Sequence, residues 1–289
     1  MVLVIDETRV DIEEIISKDQ AFGFSPQCDF DRAFLDWLHY RARRIPRRPR
    51  QVIISRQVQG KLAAYPAIDR IRSALRDGED VSAWLSRKIT SGARNHRSDM
   101  MFNDWQITHF HLSRVFLKPN MTSGTSDLLY AHVTSQCVTF LDVRPHNNWA
   151  AQDILRILLQ TRPEAMERME VKHALPPYKS YTDDELIQAR MGGVSVPIIA
   201  IDGRPFILFG ILSSGHAGRI VRFYNSLKRT IRSFIENTTQ NKLDTPMALH
   251  IASLIGVPVR LGISFDPCGA FLIYDKNRNL PIHQTGLLE

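Results

Sequence analysis

The residues that most restrict the fold lie between positions 128 and 143. Leu128-Leu-Tyr-Ala-His-Val133 and Cys137-Val-Thr-Phe-Leu-Asp-Val143 are apolar runs rich in β-branched and aromatic side chains, separated only by Thr134-Ser-Gln136. Two such runs around a short polar turn read as a β-hairpin. So short a connection has no room for a crossover, so the pair is antiparallel. Residues 150–160 follow as an amphipathic helix, and Pro163 either ends it or starts another short turn.

A third strand is expected upstream. Asp104-Trp-Gln-Ile-Thr-His-Phe-His-Leu-Ser113 has strand chemistry, and residues two apart on a strand share a face, so His109 and His111 should look the same way. Residues 99–103 read as an approach loop to this strand. At least three strands followed by a helix make the chain α+β: an antiparallel sheet domain with flanking helices.

The flanking regions carry other signals. Phe30, Phe34 and Trp37 sit at helical spacing in 29–40, and their stripe reads as a core face. Residues 66–76 and 80–89 read as two more helices. Downstream, 165–181 is polar and contains Pro176-Pro177, which suggests a linker or surface excursion, and 183–190 suggests one or two helical turns. Two apolar runs, 194–201 and 205–212, meet at Asp202-Gly203, a strong hairpin signal. A basic amphipathic helix over 219–237, a helix over 246–255 and a terminal hairpin around Asp266-Pro-Cys-Gly269 complete the expectation. The chain therefore divides into a helical basic region (1–90), a sheet domain (91–165) and a second α+β domain (190–289).

Charge is concentrated. The net charge is +7, yet between Trp37 and Ile68 there are eight basic residues and no Asp or Glu. A concentrated basic stripe is the electrostatic footprint of a polyanion partner, and a solvated arginine-rich linker is the competing explanation. On the first reading Arg41, Arg43, Arg44, Arg47, Arg48 and Arg50 contact RNA or another polyanion. Pro46 and Pro49 exclude a continuous helix, so this is a loop or extended arm.

Composition narrows the setting. The longest apolar stretch, 195–212, is interrupted by Asp202, Gly203 and Arg204, so no membrane span is expected. The first residues lack the basic leader and apolar run of a signal peptide, which points to the cytoplasm. Cys28, Cys137 and Cys268 are too scattered for a CxxC pair and read as structural.

The chemistry-bearing residues cluster in the central block. His109 and His111 lie on the first strand, and Arg144 and His146 lie where the hairpin ends; His132 is a weaker candidate. Three readings compete. His109, His111 and His146 can form a three-histidine zinc site with an open position. Alternatively, the imidazoles act as general acid and base while Arg144 stabilises phosphate charge, as a metal-free ribonuclease needs. In the third, the histidines are ordinary strand residues. Asp104 and Asp142 are placed to orient imidazole N–H groups. Trp105 and Trp149 are either core anchors or stacking platforms for a base. Gly192-Gly193 and Ser213-Ser-Gly-His-Ala-Gly218 fit no phosphate-loop pattern, and His216 has no catalytic partner in view.

The order strand, turn, strand, then Val143-Arg-Pro-His-Asn-Asn-Trp149 resembles the closing strands of RelE-type toxin ribonucleases, over roughly 99–164. Asp104-Trp-Gln-Ile-Thr-His-Phe-His-Leu112 also resembles a motif of uncharacterised bacterial proteins. The RelE resemblance implies a compact sheet-and-helix domain cleaving RNA without metal or cofactor. It would place Arg144 on the scissile phosphate and His146 or Trp149 in the proton-transfer or stacking position. Chain length, the large C-terminal region and the His-X-His pair depart from that family. The expected function is accordingly a cytoplasmic, toxin-like or defence endoribonuclease using His109, His111, Arg144 and His146. A non-enzymatic nucleic-acid or partner-binding module, or a metal-dependent hydrolase, are the alternatives.

Overall fold

The computed structural model describes residues 3–22, 29–86, 89, 99–113, 116–118, 121–122, 125–146, 150–172, 180–240 and 258–286, the side chains of 116–118 and 121–122 excepted. The fold is α+β. Its contacts group into two units, Met1–Ala42 with Ile220–Glu289, and Arg43–Arg219. The second is thus inserted in sequence into the first. This grouping differs from the boundaries near 90 and 165 suggested by the sequence, because Gln51–Ile54 pairs with the hairpin strand Cys137–Pro145.

In the outer unit, β1 (Val4–Asp6) pairs in parallel with β10 (Val259–Phe265), which continues antiparallel into β11 (Ala270–Asp275) and β12 (Leu280–Gly286). The terminal hairpin is as its turn chemistry predicted; β1, β12 and helix α1 (Thr8–Lys18) were not anticipated. Aromatic packing organises its core. Phe34 and Trp37 of α2 (Phe30–Arg43) lie edge-on to Phe271, with centroids 6.1 Å apart in both cases, and Trp37 also meets Phe265 at 4.9 Å. Asp11 fixes α1 to the sheet by accepting from Ile263 N at 2.9 Å and Lys276 Nζ at 2.5 Å.

The inserted unit contains the sheet β2 (Gln51–Ile54), β7 (Cys137–Pro145), β6 (Asp127–Val133) and β3 (Ile107–His111), in that order, and a separate antiparallel pair, β4 (Phe116–Lys118) with β5 (Met121–Thr122). Here β2 runs parallel to β7, whereas β7, β6 and β3 are antiparallel neighbours. Both faces are covered. Ile68, Ile71 and Leu75 of α4 (Ala67–Asp77) pack with Phe110, Leu129, Ala131, Val138 and Phe140 on one side. Ile154, Leu155 and Leu158 of α6 (Gln152–Thr161) pack with Ile107, Leu128, Tyr130 and Leu141 on the other. Burial on both faces is why β6 and β7 are continuous apolar runs rather than alternating ones.

Local sequence sets several boundaries. Gly78 ends α4 at φ 76°. The left-handed conformation costs glycine least, and an added Cβ there would also meet Pro49 Cδ at 2.7 Å. Thr182 and Glu185 form a reciprocal capping box at the start of α8 (Asp183–Met191). The hairpin β8 (Ile198–Ile201) and β9 (Arg204–Ile207) turns at Asp202 and Gly203, with φ 49° and 76°. Such angles match the tight turn Asp-Gly favours.

Four expectations change. Residues 99–105 are not a loop leading into a strand: Asp99 caps helix α5 (Met100–Trp105) by accepting from Phe102 N at 3.3 Å. The strand starts only at Ile107, after Gln106 turns the chain at φ 58°. Within 80–89, Ser82–Trp84 form a 3₁₀ turn and Ile89 is helical. Part of 165–181 is helical, since α7 (Pro163–Glu167) enters it. Helix α3 (Arg56–Gln59), capped by Ser55, extends regular structure into the expected basic arm. Helix α9 (Gly218–Thr239) forms as predicted. Pro176-Pro177 and the helix expected over 246–255 lie outside the described residues. No helix among the described residues is long and apolar enough to cross a membrane.

Candidate functional site

The three imidazoles meet at one end of the inserted sheet. Register pairs His109 with Tyr130 and His111 with Leu128, and Leu128 in turn with Arg144. His146 extends this line one step beyond β7, its backbone N–H donating to Ser126 O at 3.1 Å. His109 and His111 ring centroids are 5.9 Å apart, and those of His111 and His146 are 5.7 Å apart. Thr125 ties the strand ends together. Its hydroxyl accepts from Leu112 N at 3.1 Å and donates to Asp127 O at 2.6 Å.

The rings differ in exposure. His146 is exposed, while His109 and His111 are half-buried. His146 Nε2 lies 3.0 Å from Thr125 O. A carbonyl only accepts, so Nε2 carries the proton when the ring is neutral. Burial pushes the His109 pKa down, assisted by the Arg43 and His146 charges and opposed by Asp99. Tyr130, 6.2 Å from His109 between centroids, is pushed up to about 12, chiefly by burial and then by Asp99. Its hydroxyl stays protonated and donates to Pro145 O at 3.4 Å.

Arg144 reaches the same end but is engaged by two carboxylates. Its Nε donates to Asp142 Oδ2 at 2.7 Å, and its Nη1 and Nη2 grip Asp153 at 2.8 and 2.6 Å. Burial disfavours the charge, but Asp153 and Asp142 outweigh it and raise the Arg144 pKa. Asp142 also takes Lys61 Nζ at 2.7 Å. Burial would raise the Asp142 pKa; the hydrogen bonds from Lys61 and Arg144 bring it below the usual carboxylate range. Asp153 stands in the first turn of α6, where the helix dipole favours an anion.

No family model, curated protein or solved structure matches the chain. The residues themselves therefore carry the functional argument.

Other predicted positions fall elsewhere. Asp104 and Asp142 are engaged by cations rather than by an imidazole: both Asp104 oxygens accept from Arg190 Nη2 in a buried pair, and Asp142 holds Lys61 and Arg144. His132 pairs in register with Ile107, two positions along β6 from Tyr130, and burial, with Arg162 and Arg219, lowers its pKa to about 4. Trp105 is 2% exposed and belongs to the core. Trp149 lies outside the described residues. His216 is buried, with Nδ1 3.3 Å from Ser214 Oγ. Among the described residues, no three His, Cys, Asp or Glu side chains are grouped to hold a metal ion.

The basic segment is not one exposed arm. Arg41 is in α2, 3.4 Å from Asp19 and over the Phe265 ring at 4.9 Å. Arg43 is buried, 3.5 Å from Asp99. Arg50, also buried, donates to the carbonyls of Thr134, Pro46 and Arg48 at 2.8–3.1 Å, stitching the chain before β2 to the hairpin turn. Arg47 is exposed and 2.9 Å from Asp80, and Arg44 and Arg48 are half-buried. Carboxylates and carbonyls distant in sequence thus meet several of these arginines. Sequence reasoning missed Tyr130, Asp153 and Thr125 at the site. Only Asp153 left a signal, as the first-turn acid of the helix following Arg144.

Proposed function

We propose that the inserted unit is a metal-independent endoribonuclease with His109, His111 and His146 at its centre. The observation carrying this reading is the row of three imidazoles at one end of the sheet, two half-buried and one exposed. Phosphodiester cleavage by the ribose 2′-hydroxyl needs one group to remove that proton and another to give one to the departing 5′-oxygen. His111 and His146, 5.7 Å apart between centroids, supply those two functions. Burial disfavours a charge on His109 beside them.

Arg144 is the phosphate contact in this reading. A phosphate oxygen would take the place of Asp153, whose side chain is 48% exposed, while Asp142 keeps Nε aligned. The resemblance of residues 128–149 to RelE-type toxin ribonucleases supports the same assignment. Incubation of purified protein with single-stranded RNA in excess chelator tests it. Cleavage should persist and should fall by about 10²–10⁴-fold in His111→Ala or His146→Ala, as loss of a general acid or base does.

The double carboxylate engagement of Arg144 favours a second reading, a non-enzymatic RNA- or partner-binding module. Salt-sensitive RNA binding with no cleavage under any condition would select it.

A further inference from the structure

The outer edge of β2 offers a second kind of site, one that does not rest on the ribonuclease reading. Gln51 N–H donates to Gln136 O at 2.9 Å and Ser55 N–H to Phe140 O at 3.0 Å. In a parallel pair, alternate residues direct both backbone groups to the partner, so Gln51, Ile53 and Ser55 face β7. The N–H and C=O groups of Val52 and Ile54 therefore point the opposite way. Among the described residues no strand pairs with that side. One position earlier the edge is closed: Arg50 N–H donates to Leu75 O at 3.0 Å. The open length thus begins just after Arg50.

This edge lines a groove of about 410 Å³ formed by Arg50, Gln51, Val52, Ile54, Arg72 and Arg76. Val52 and Ile54 line it and Ile53 does not, matching the alternation. Arg72 and Arg76 come from α4. Arg76 is exposed, and no carboxylate pairs with it among the described residues. Arg72 meets Asp69 through Nη2 at 3.0 Å, whereas its Nε is buried without a hydrogen-bond partner.

We propose that this groove docks an extended acidic peptide segment of a partner protein, which adds as a strand beside β2. Two chemistries select that partner. Outward N–H and C=O groups together match a peptide backbone, which offers both donors and acceptors; phosphates offer only acceptors and would be repelled by the carbonyls. The arginines of α4 match carboxylates, and Arg planarity suits bidentate capture. They also keep two copies of this edge apart, because self-pairing would bring arginine against arginine.

The test uses the full chain with a capped, fluorescein-labelled peptide of alternating glutamate and valine, and the lysine–valine counterpart as control. The glutamate peptide binds, the lysine peptide does not, and amide exchange slows at Val52 and Ile54. Arg72→Glu with Arg76→Glu weakens binding at least about tenfold, as reversing charge at a complementary interface should. The exposed Arg76→Gln change alone weakens it a few-fold and leaves folding intact. The proposal is overturned by absent binding up to about 1 mM peptide, by equal binding to the variants, or by protection confined to other amides. It is also overturned if single-stranded RNA binds with the same arginine dependence while Val52 and Ile54 stay unprotected.

Discussion

His111 and His146 are thirty-five positions apart in sequence, yet their ring centroids lie 5.7 Å from each other. The register produces this contact because β3 and β7 run the same way on either side of the antiparallel β6, so the two strands end at the same side of the sheet. His109 extends the line inward and Arg144 flanks it. A histidine pair readable as a metal hook in sequence is thus part of a longer row of imidazoles, graded from half-buried to exposed.

Asp153 gates Arg144 in the proposed reaction. Asp153→Asn removes the charge facing both terminal guanidinium nitrogens and leaves Asp142 on Nε. RNA affinity rises, and the slope of log affinity against log salt steepens by about one, the signature of one additional phosphate contact. Fluorescence anisotropy over a salt series reads both. An unchanged slope would remove Arg144 from the RNA surface.

The pair Asp104–Arg190 is a stability determinant. Both side chains are 8% exposed, and burial raises the Asp104 pKa against the pull of Arg190. Asp104→Asn strands the guanidinium charge and should cost about 3–5 kcal/mol in denaturant unfolding. Replacing both residues by leucine recovers most of that loss, because no unpaired charge remains.

His132 makes the protein acid-sensitive. Its folded pKa of about 4 lies below the ordinary histidine value, so as pH falls the unfolded chain takes up the proton first. Its contribution is complete above about pH 6.5 and is lost progressively toward about pH 4, by up to ~3 kcal/mol. His132→Leu flattens this part of the stability profile; a profile identical to the parent's would refute it.

Arg50 acts structurally rather than as an RNA contact. Its guanidinium holds three backbone carbonyls, including Thr134 of the hairpin turn. Arg50→Ala leaves those acceptors buried and lowers stability by about 1–3 kcal/mol. Under the proposed function, RNA affinity per folded molecule stays the same.

Local signals carried much of the secondary structure. Alternation and turn chemistry placed the hairpins at 134–136, 202–203 and 266–269, since those features act between near neighbours. The row of histidines was foreseen as a condition on the hairpin, because strand parity is local. Helix α5 escaped notice because a single capping aspartate and an αL residue decide it over six residues. The short strand β2 lay hidden inside a charged run whose order depends on β7.

The sequence by itself determined the α+β class, the common face of His109 and His111, and the concentration of positive charge. Tertiary structure alone decided which of those charges are available. Asp99 is brought to Arg43 from 56 positions away and Asp153 to Arg144 by the packing of α6, at separations that strand parity does not span. Periodicity is set by backbone geometry along a few residues, whereas charge compensation depends on neighbours in space.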